Sequence, residues 1–122
     1  METPKKIIII EDEKTLARAL EFKLKRLGFE VKVAFNGADG MTLLEKESFD
    51  IILLDLIMPT MDGFTVLANL RGKRIKTPVV VLTNLSQEND IERTKKFGVR
   101  EFFIKSNTPI ATIAGRVAEL LE

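Results

Sequence analysis

Three segments of this chain, Ile7-Ile8-Ile9-Ile10, Ile51-Ile52-Leu53-Leu54 and Val79-Val80-Val81-Leu82, are apolar without interruption. A strand with one wet face alternates apolar and polar residues, so a strand without alternation needs cover on both faces. Runs this short are too brief for buried helices and far too brief to cross a bilayer. Parallel strands sandwiched between helices meet the requirement. The way the runs end is equally informative. The first stops at Glu11-Asp12, the second at Asp55, and a later one, Phe102-Phe103-Ile104, at Lys105. If those strands lie side by side, three carboxylates and one ammonium meet on one rim of one sheet.

Helical patterns fill the intervals. Residues 13–27 carry the stripe Leu16, Leu20, Leu24 and Leu27 and are stopped by Gly28. Residues 30–35 alternate, with Val31, Val33 and Phe35 on one face, as an edge strand open to water does. Asn36-Gly37 turns into a helix bearing Met41, Leu43 and Leu44, and residues 50–54 form the third strand. Pro59, Asp62 and Gly63 mark a loop before a helix over 64–70, and Pro78 introduces a fourth strand that ends at Thr83. A segment from Ser86 or Gln87 to Phe97 has helical propensity but little apolar content beyond Ile91 and Phe97, and Gly98 ends it. After the Phe102 strand, Thr108 is expected to cap a last helix with Pro109 at its first position and the stripe Ile110, Ile113, Ala114, Val117, Leu120, Leu121. Five strands alternating with five helices, joined by right-handed crossovers, predict a doubly wound α/β fold with a five-stranded parallel sheet. The 122 residues read as one domain, 1–122, without repeat or linker, and nothing after Glu122 reads as an output domain.

Composition narrows the chemistry. With no Cys and no His, disulfides, thiolate and imidazole metal sites, histidine bases and a phosphohistidine on this chain are excluded. Hard-cation carboxylate chemistry survives. The formal net charge is +1, with Lys and Arg spread along the sequence. That predicts no basic face for nucleic acid and no polybasic membrane tether. No signal peptide opens the chain, and a cytoplasmic setting is expected.

In an open α/β sheet, ligands sit outside the carboxyl ends of the strands where the strand order reverses. With order 2-1-3-4-5 that point lies between the first strand, ending in Glu11-Asp12, and the third, ending in Asp55. Carboxylates so close repel, and Mg2+ suits one or two of them together with a phosphate oxygen and waters. A phosphoryl group in transfer needs its equatorial oxygens neutralised and little else. The Asp55 carboxylate, a divalent cation, the Lys105 ammonium and the Thr83 hydroxyl would meet that need.

These residues occur in a longer pattern: Ile7 to Ile10 followed by Glu11-Asp12-Glu13, then Asp55-Leu56-Ile57-Met58-Pro59-Thr60-Met61-Asp62-Gly63, Val79 to Thr83, Gly98, and Phe102 to Lys105. Over its whole length the chain resembles the receiver domain of two-component response regulators, in a stand-alone, single-domain form with a flavodoxin-like fold. The resemblance implies that Asp55 takes a phosphoryl group from a phosphohistidine on a sensor histidine kinase or a histidine phosphotransfer protein. It implies that Glu11, Asp12 and the backbone carbonyl of Ile57 place Mg2+ (Mn2+ or another divalent cation is an alternative), with Asp12 and Asp55 as direct ligands. Lys105 would pair with Asp55 and then with the acyl phosphate. Thr83 would move its hydroxyl onto a phosphoryl oxygen, and Phe102 would swing inward behind it. A downstream protein target would read the surface of the fourth helix, fifth strand and fifth helix, and the kinase would dock at the first helix.

Taken one at a time, most of these residues have structural explanations. Asp12 suits a helix N-terminus, Lys105 a solvated strand end, Thr83 a turn and Phe102 the core. Asp55 is different, because an acid directly after a strand buried on both faces is costly without a partner. The chain departs from the family pattern at Ser106, where proline is usual, at Phe102 for tyrosine, and at Asn84 for a small residue. A trans Lys105-Ser106 bond is expected, since a cis bond to a non-proline residue costs about 3 kcal/mol. Ile57 and Leu85 are apolar where relatives place polar residues that help position water, so a long-lived acyl phosphate is expected.

Two other classes compete. A Mg2+-dependent phosphatase with an aspartyl nucleophile needs a second acid two residues after it, and Ile57 stands there. A flavin or nucleotide carrier needs a Gly- or Thr-rich loop after the first strand, where Glu11-Asp12-Glu13-Lys14-Thr15 would repel phosphate without a metal. No turnover enzyme is expected, only autocatalytic acceptance of a phosphoryl group and slow self-dephosphorylation.

Overall fold

A computed structural model describes residues 3–85 and 87–122. Strands β1 (Lys6–Ile10), β2 (Glu30–Ala34), β3 (Ile51–Leu54), β4 (Val79–Thr83) and β5 (Glu101–Ile104) form one parallel sheet in the order β2-β1-β3-β4-β5. Between and after them run α1 (Lys14–Arg26), α2 (Gly37–Lys46), α3 (Gly63–Gly72), α4 (Glu88–Lys96) and α5 (Ile110–Leu120). The doubly wound parallel sheet expected from the uninterrupted apolar runs is the fold observed.

The reason is visible in β1, whose Ile7 to Ile10 are all fully buried. Ile7 and Ile9 pack with Ala17, Leu20 and Leu24 of α1 and Ile113, Ala114 and Val117 of α5. Ile8 and Ile10 pack on the other face with Met41 and Leu44 of α2 and Phe64, Leu67 and Leu70 of α3. Side chains alternate across a strand, so a run covered on both faces has no position for a polar residue. Two helix starts are capped as their sequence suggests. Asn36 Oδ1 accepts from Asp39 N–H at 2.7 Å, and Asp62 Oδ1 from Thr65 N–H at 2.9 Å.

Several expectations change in detail. The buried stripe of α1 is Ala17, Leu20 and Leu24, while Leu16 is half-buried and Leu27 is 49% exposed. Leu27 falls at the C-cap, where the chain turns away through Gly28 at φ 98. Pro109, not Thr108, occupies the N-cap of α5, and its carbonyl accepts from Thr112 and Ile113. Thr108 instead donates its hydroxyl to the Ile104 carbonyl at 2.8 Å, because a 3-10 turn (Lys105–Asn107) separates β5 from α5. No peptide bond among the described residues is cis, so Lys105-Ser106 is trans as expected. Ser86, one of the two expected starts of the fourth helix, lies outside the described residues; α4 begins at Glu88 and buries only Thr94.

Lys and Arg are evenly spread in sequence, but the segments after α3 and α4 converge at the amino edge of the sheet. They bring Arg71, Arg74, Lys76 and Arg100 around one cavity. Among the described residues no helix is long and apolar enough to cross a membrane.

Candidate functional site

The register Ile10↔Leu54 carries β1 and β3 out of the sheet together. Asp55 N–H donates to the Ile10 carbonyl and Glu11 N–H to the Ala34 carbonyl, each at 3.0 Å, so the ladder continues one residue past both strands. Glu11 and Asp55 are therefore held by the backbone, and they are only 1% and 3% exposed. β5, two strands away from β3, delivers Lys105. Its Nζ lies 2.9 Å from Asp55 Oδ2 and 2.7 Å and 2.9 Å from Oε1 and Oε2 of Glu11. Glu13 Oε2 is 3.6 Å from the same ammonium.

One ammonium serves several acids, and the balance is uneven. Glu11 Oε2 accepts from Lys105 and from Glu13 N–H, each at 2.9 Å, whereas the buried Oε1 is answered by the Lys105 ammonium alone, at 2.7 Å. Burial pushes the Glu11 carboxyl up to about 7, against the lowering effect of its bonds to Lys105 and Glu13 N–H. Burial by itself would lower the Lys105 ammonium, yet its hydrogen bonds to Glu11 and Asp55 prevail and hold it above its ordinary value. Asp12 is half-buried, and among the described residues no hydrogen bond engages its carboxylate. It does not cap α1, whose N-cap is Glu13. Carboxylate oxygens of Glu11, Asp12 and Asp55 all lie within 4.8 Å of one another. Clustered carboxylates, two of which share one ammonium, in a donor set of oxygens only, fit a hard divalent cation.

The loop after β3 is shaped around Asp55. Ile57 N–H donates to Asp55 Oδ1 at 3.1 Å, and Gly63 N–H to the Leu56 carbonyl at 2.9 Å. A Cβ on Gly63 would sit 2.4 Å from the Asp55 carbonyl oxygen, so only glycine permits this approach. Met61 N–H donates to the Pro59 carbonyl at 2.8 Å, making a γ-turn with Thr60 at φ 70. A β-branched residue rarely adopts that conformation, and local strain of this kind gathers at functional loops.

A cleft of about 240 Å3 opens over the carboxylates, lined by Asp12, Glu13, Asp55, Ile57, Asn84 and Lys105. Of the residues singled out from sequence, Glu11, Asp12, Asp55, Ile57 and Lys105 are together here. Thr83 and Phe102 stand behind. Thr83 is fully buried, with its Oγ1 accepting from Leu85 N–H at 3.4 Å. Phe102 is half-buried beside Val81 and packs on the α2–α3 side of the sheet. The contributions of Glu13 and of an Asn84–Ser106 link were not anticipated. Ser106 N–H donates to Asn84 Oδ1 at 3.1 Å. The signal was present in the sequence, since serine restores the N–H that proline lacks.

The model of the response regulator receiver domain family matches residues 7–114. A response regulator receiver domain from Francisella is similar at 33% identity and a TM-score of 0.86, over 95% of this chain and 95% of that one. The receiver domain of a signal transduction histidine kinase from Syntrophus aciditrophicus is similar at 31% identity and a TM-score of 0.83, over 96% of this chain and 89% of that one. The chemotaxis protein CheY4 of Vibrio cholerae shares the fold at 22% identity and a TM-score of 0.88, over 97% of this chain and 99% of that one. With its switch-point carboxylates, its lysine and this match, the chain belongs to the response regulator receiver domain family of two-component signalling.

Proposed function

We propose that this receiver domain is a phosphorylation-controlled switch or relay whose phosphoacceptor is Asp55. The observation that supports the reading most is the Lys105 ammonium 2.9 Å from Asp55 Oδ2, beside the clustered carboxylates of Glu11, Asp12 and Asp55. The donor is a phosphohistidine on a sensor histidine kinase or a histidine phosphotransfer protein. An O–P bond forms at Asp55 as the donor's N–P bond breaks. Lys105 pairs first with the carboxylate and then with the acyl phosphate, and so neutralises the charge on the transferring group. Glu11, Asp12, Asp55 and the Ile57 carbonyl would hold Mg2+, or Mn2+ in its place. When bound, that cation supplies the positive charge that lets a phosphoryl group approach clustered acids.

Thr83 gives up its contact with Leu85 N–H and turns its hydroxyl to the phosphoryl group, and Phe102 moves in behind it. The change reaches a downstream protein through α4, β5 and α5. The α4 element suits that part, since a helix with one buried residue is a low-stability unit. The sensor kinase docks at α1 and its adjoining loops. Turnover as a phosphatase is disfavoured by Ile57, which stands where a second acid is needed.

Incubation with Mg2+ and acetyl phosphate, read by intact mass, tests the reading. The wild type should gain one phosphoryl group, and Asp55→Asn or addition of EDTA should abolish the gain. A wild type that gains nothing would make this a degenerate receiver.

A further inference from the structure

At the edge of the sheet opposite Asp55, a half-open cavity of about 400 Å3 lies between the end of α3, the start of β4 and the segment after α4. Its floor is apolar, formed by Leu67, Leu70, Ile75, Val79 and Phe97. Its rim carries Arg71, Arg74, Lys76 and Arg100, and among the described residues lining it none is acidic. Among the described residues none of these four cations is in an ion pair. The neighbouring Lys73, by contrast, is answered by Glu45 at 2.8 Å. Arg71 serves as a wall, since it donates to the Lys96 carbonyl and lies 4.4 Å over the Phe97 ring. Arg74, Lys76 and Arg100 are left without a partner of opposite charge.

The backbone supplies a second, independent observation. Helices α1, α3 and α4 end in the same motif, in which Phe29 N–H donates to Leu24, Ile75 to Leu70 and Val99 to Thr94. Two of these ends place glycine at the left-handed position, Gly28 at φ 98 and Gly98 at φ 77. The third places Arg74 there, at φ 58. A Cβ is disfavoured in that conformation, and glycine is not. Folding therefore gains nothing from an arginine at this position, and the guanidinium is kept at a conformational cost on the rim of the cavity.

We infer that this cavity binds a small phosphorylated ligand with a flat apolar body, of the nucleoside phosphate class. The ring lies against the apolar floor, and the phosphate oxygens meet Arg74, Lys76 and Arg100. Planar guanidinium groups match phosphate oxygens in pairs, and the volume suits a ligand of that size.

Calorimetry with ADP in EDTA at low ionic strength tests the inference, because without metal the carboxylate cleft repels phosphate. ADP should bind, while pyrophosphate should bind about tenfold or more weakly and adenosine not detectably. Arg74→Gly should weaken ADP binding by about tenfold or more while its thermal midpoint equals or exceeds the wild-type value, so unfolding cannot explain the loss. Arg100→Ala should weaken binding similarly. The inference is overturned by any of several results: no ADP binding at millimolar concentration, equal binding by Arg74→Gly, or pyrophosphate as good as ADP. Single-stranded RNA bound more tightly than ADP at equal phosphate concentration would also overturn it, by making this an extended polyanion surface.

Discussion

Glu11 is the acid most at odds with its surroundings, because burial opposes its charge and it shares one ammonium with Asp55. Its folded-state value of about 7 stands above the ordinary 4.5. A carboxyl raised in this way contributes stability that is fully present below the unfolded value and is lost as pH rises through the folded one. In EDTA, therefore, thermal stability should fall from this group as pH rises from about 4.5 through about 7. Glu11→Gln should melt above the wild type at pH values past that window and show no such advantage below it. Because a cation needs the ionised carboxylates, Mg2+ should raise the wild-type midpoint more above the window than below it. Melting curves across pH, with EDTA and with Mg2+, check both; a wild-type curve parallel to that of the Gln variant would refute them.

Ile57 is the other residue with a separable role. It is 51% exposed, lines the cleft and presents only carbon to the space beside Asp55. Ile57→Asn offers groups that can orient water, and phosphoryl loss should quicken by about tenfold, equivalent to about 1.4 kcal/mol in the barrier. Stability should shift by no more than about 0.5 kcal/mol, as is usual at an exposed position. The decay of the phosphorylated species by intact mass measures this, and an unchanged or slower decay would count against the idea.

At the scale of elements, the segments leaving β4 and β5 are joined by one hydrogen bond between two departures from the family pattern. Ser106 N–H reaches Asn84 Oδ1 at 3.1 Å from within the 3-10 turn Lys105–Asn107. A proline at 106 would remove the donor, so the two substitutions form a pair. A neutral bond of this kind contributes about 1 kcal/mol net. In a double-mutant cycle with Asn84→Ala and Ser106→Pro, urea denaturation should return a coupling of that size, about 1 kcal/mol. Strictly additive effects would show that the link carries nothing. The α4 helix, which lies between those segments, is held differently from the rest. It buries Thr94 alone, and arginine–phenylalanine contacts, Arg93 at 3.7 Å over Phe64 and Arg71 at 4.4 Å over Phe97, supplement its sparse apolar packing. Its low apolar content was plain in sequence; its arginine anchors were not, since each pairs α4 or its C-cap Phe97 with a residue of α3, which only the fold sets beside it.

Across the molecule, the sheet separates two kinds of chemistry. Its carboxyl edge gathers Glu11, Asp12 and Asp55 around Lys105, and its amino edge gathers Arg71, Arg74, Lys76 and Arg100 around an apolar floor. The first gathering could be foreseen, because the acids stand within two residues of the end of an apolar run and parallel strands carry their ends to the same side. The second could not, since loops carry no periodicity that says where they converge.

Residue pattern alone determined that Ile7 to Ile10 and Ile51 to Leu54 are strands covered on both faces, and hence the doubly wound sheet. It also determined that Asp55 leaves a buried strand among other acids, because side-chain alternation and the cost of burying charge are local rules. The tertiary structure decided which acids share the Lys105 ammonium, which residues close the cleft, and where the spread arginines meet. Those depend on distances of a few ångströms between segments far apart in the chain, and such distances are set only when the helices pack.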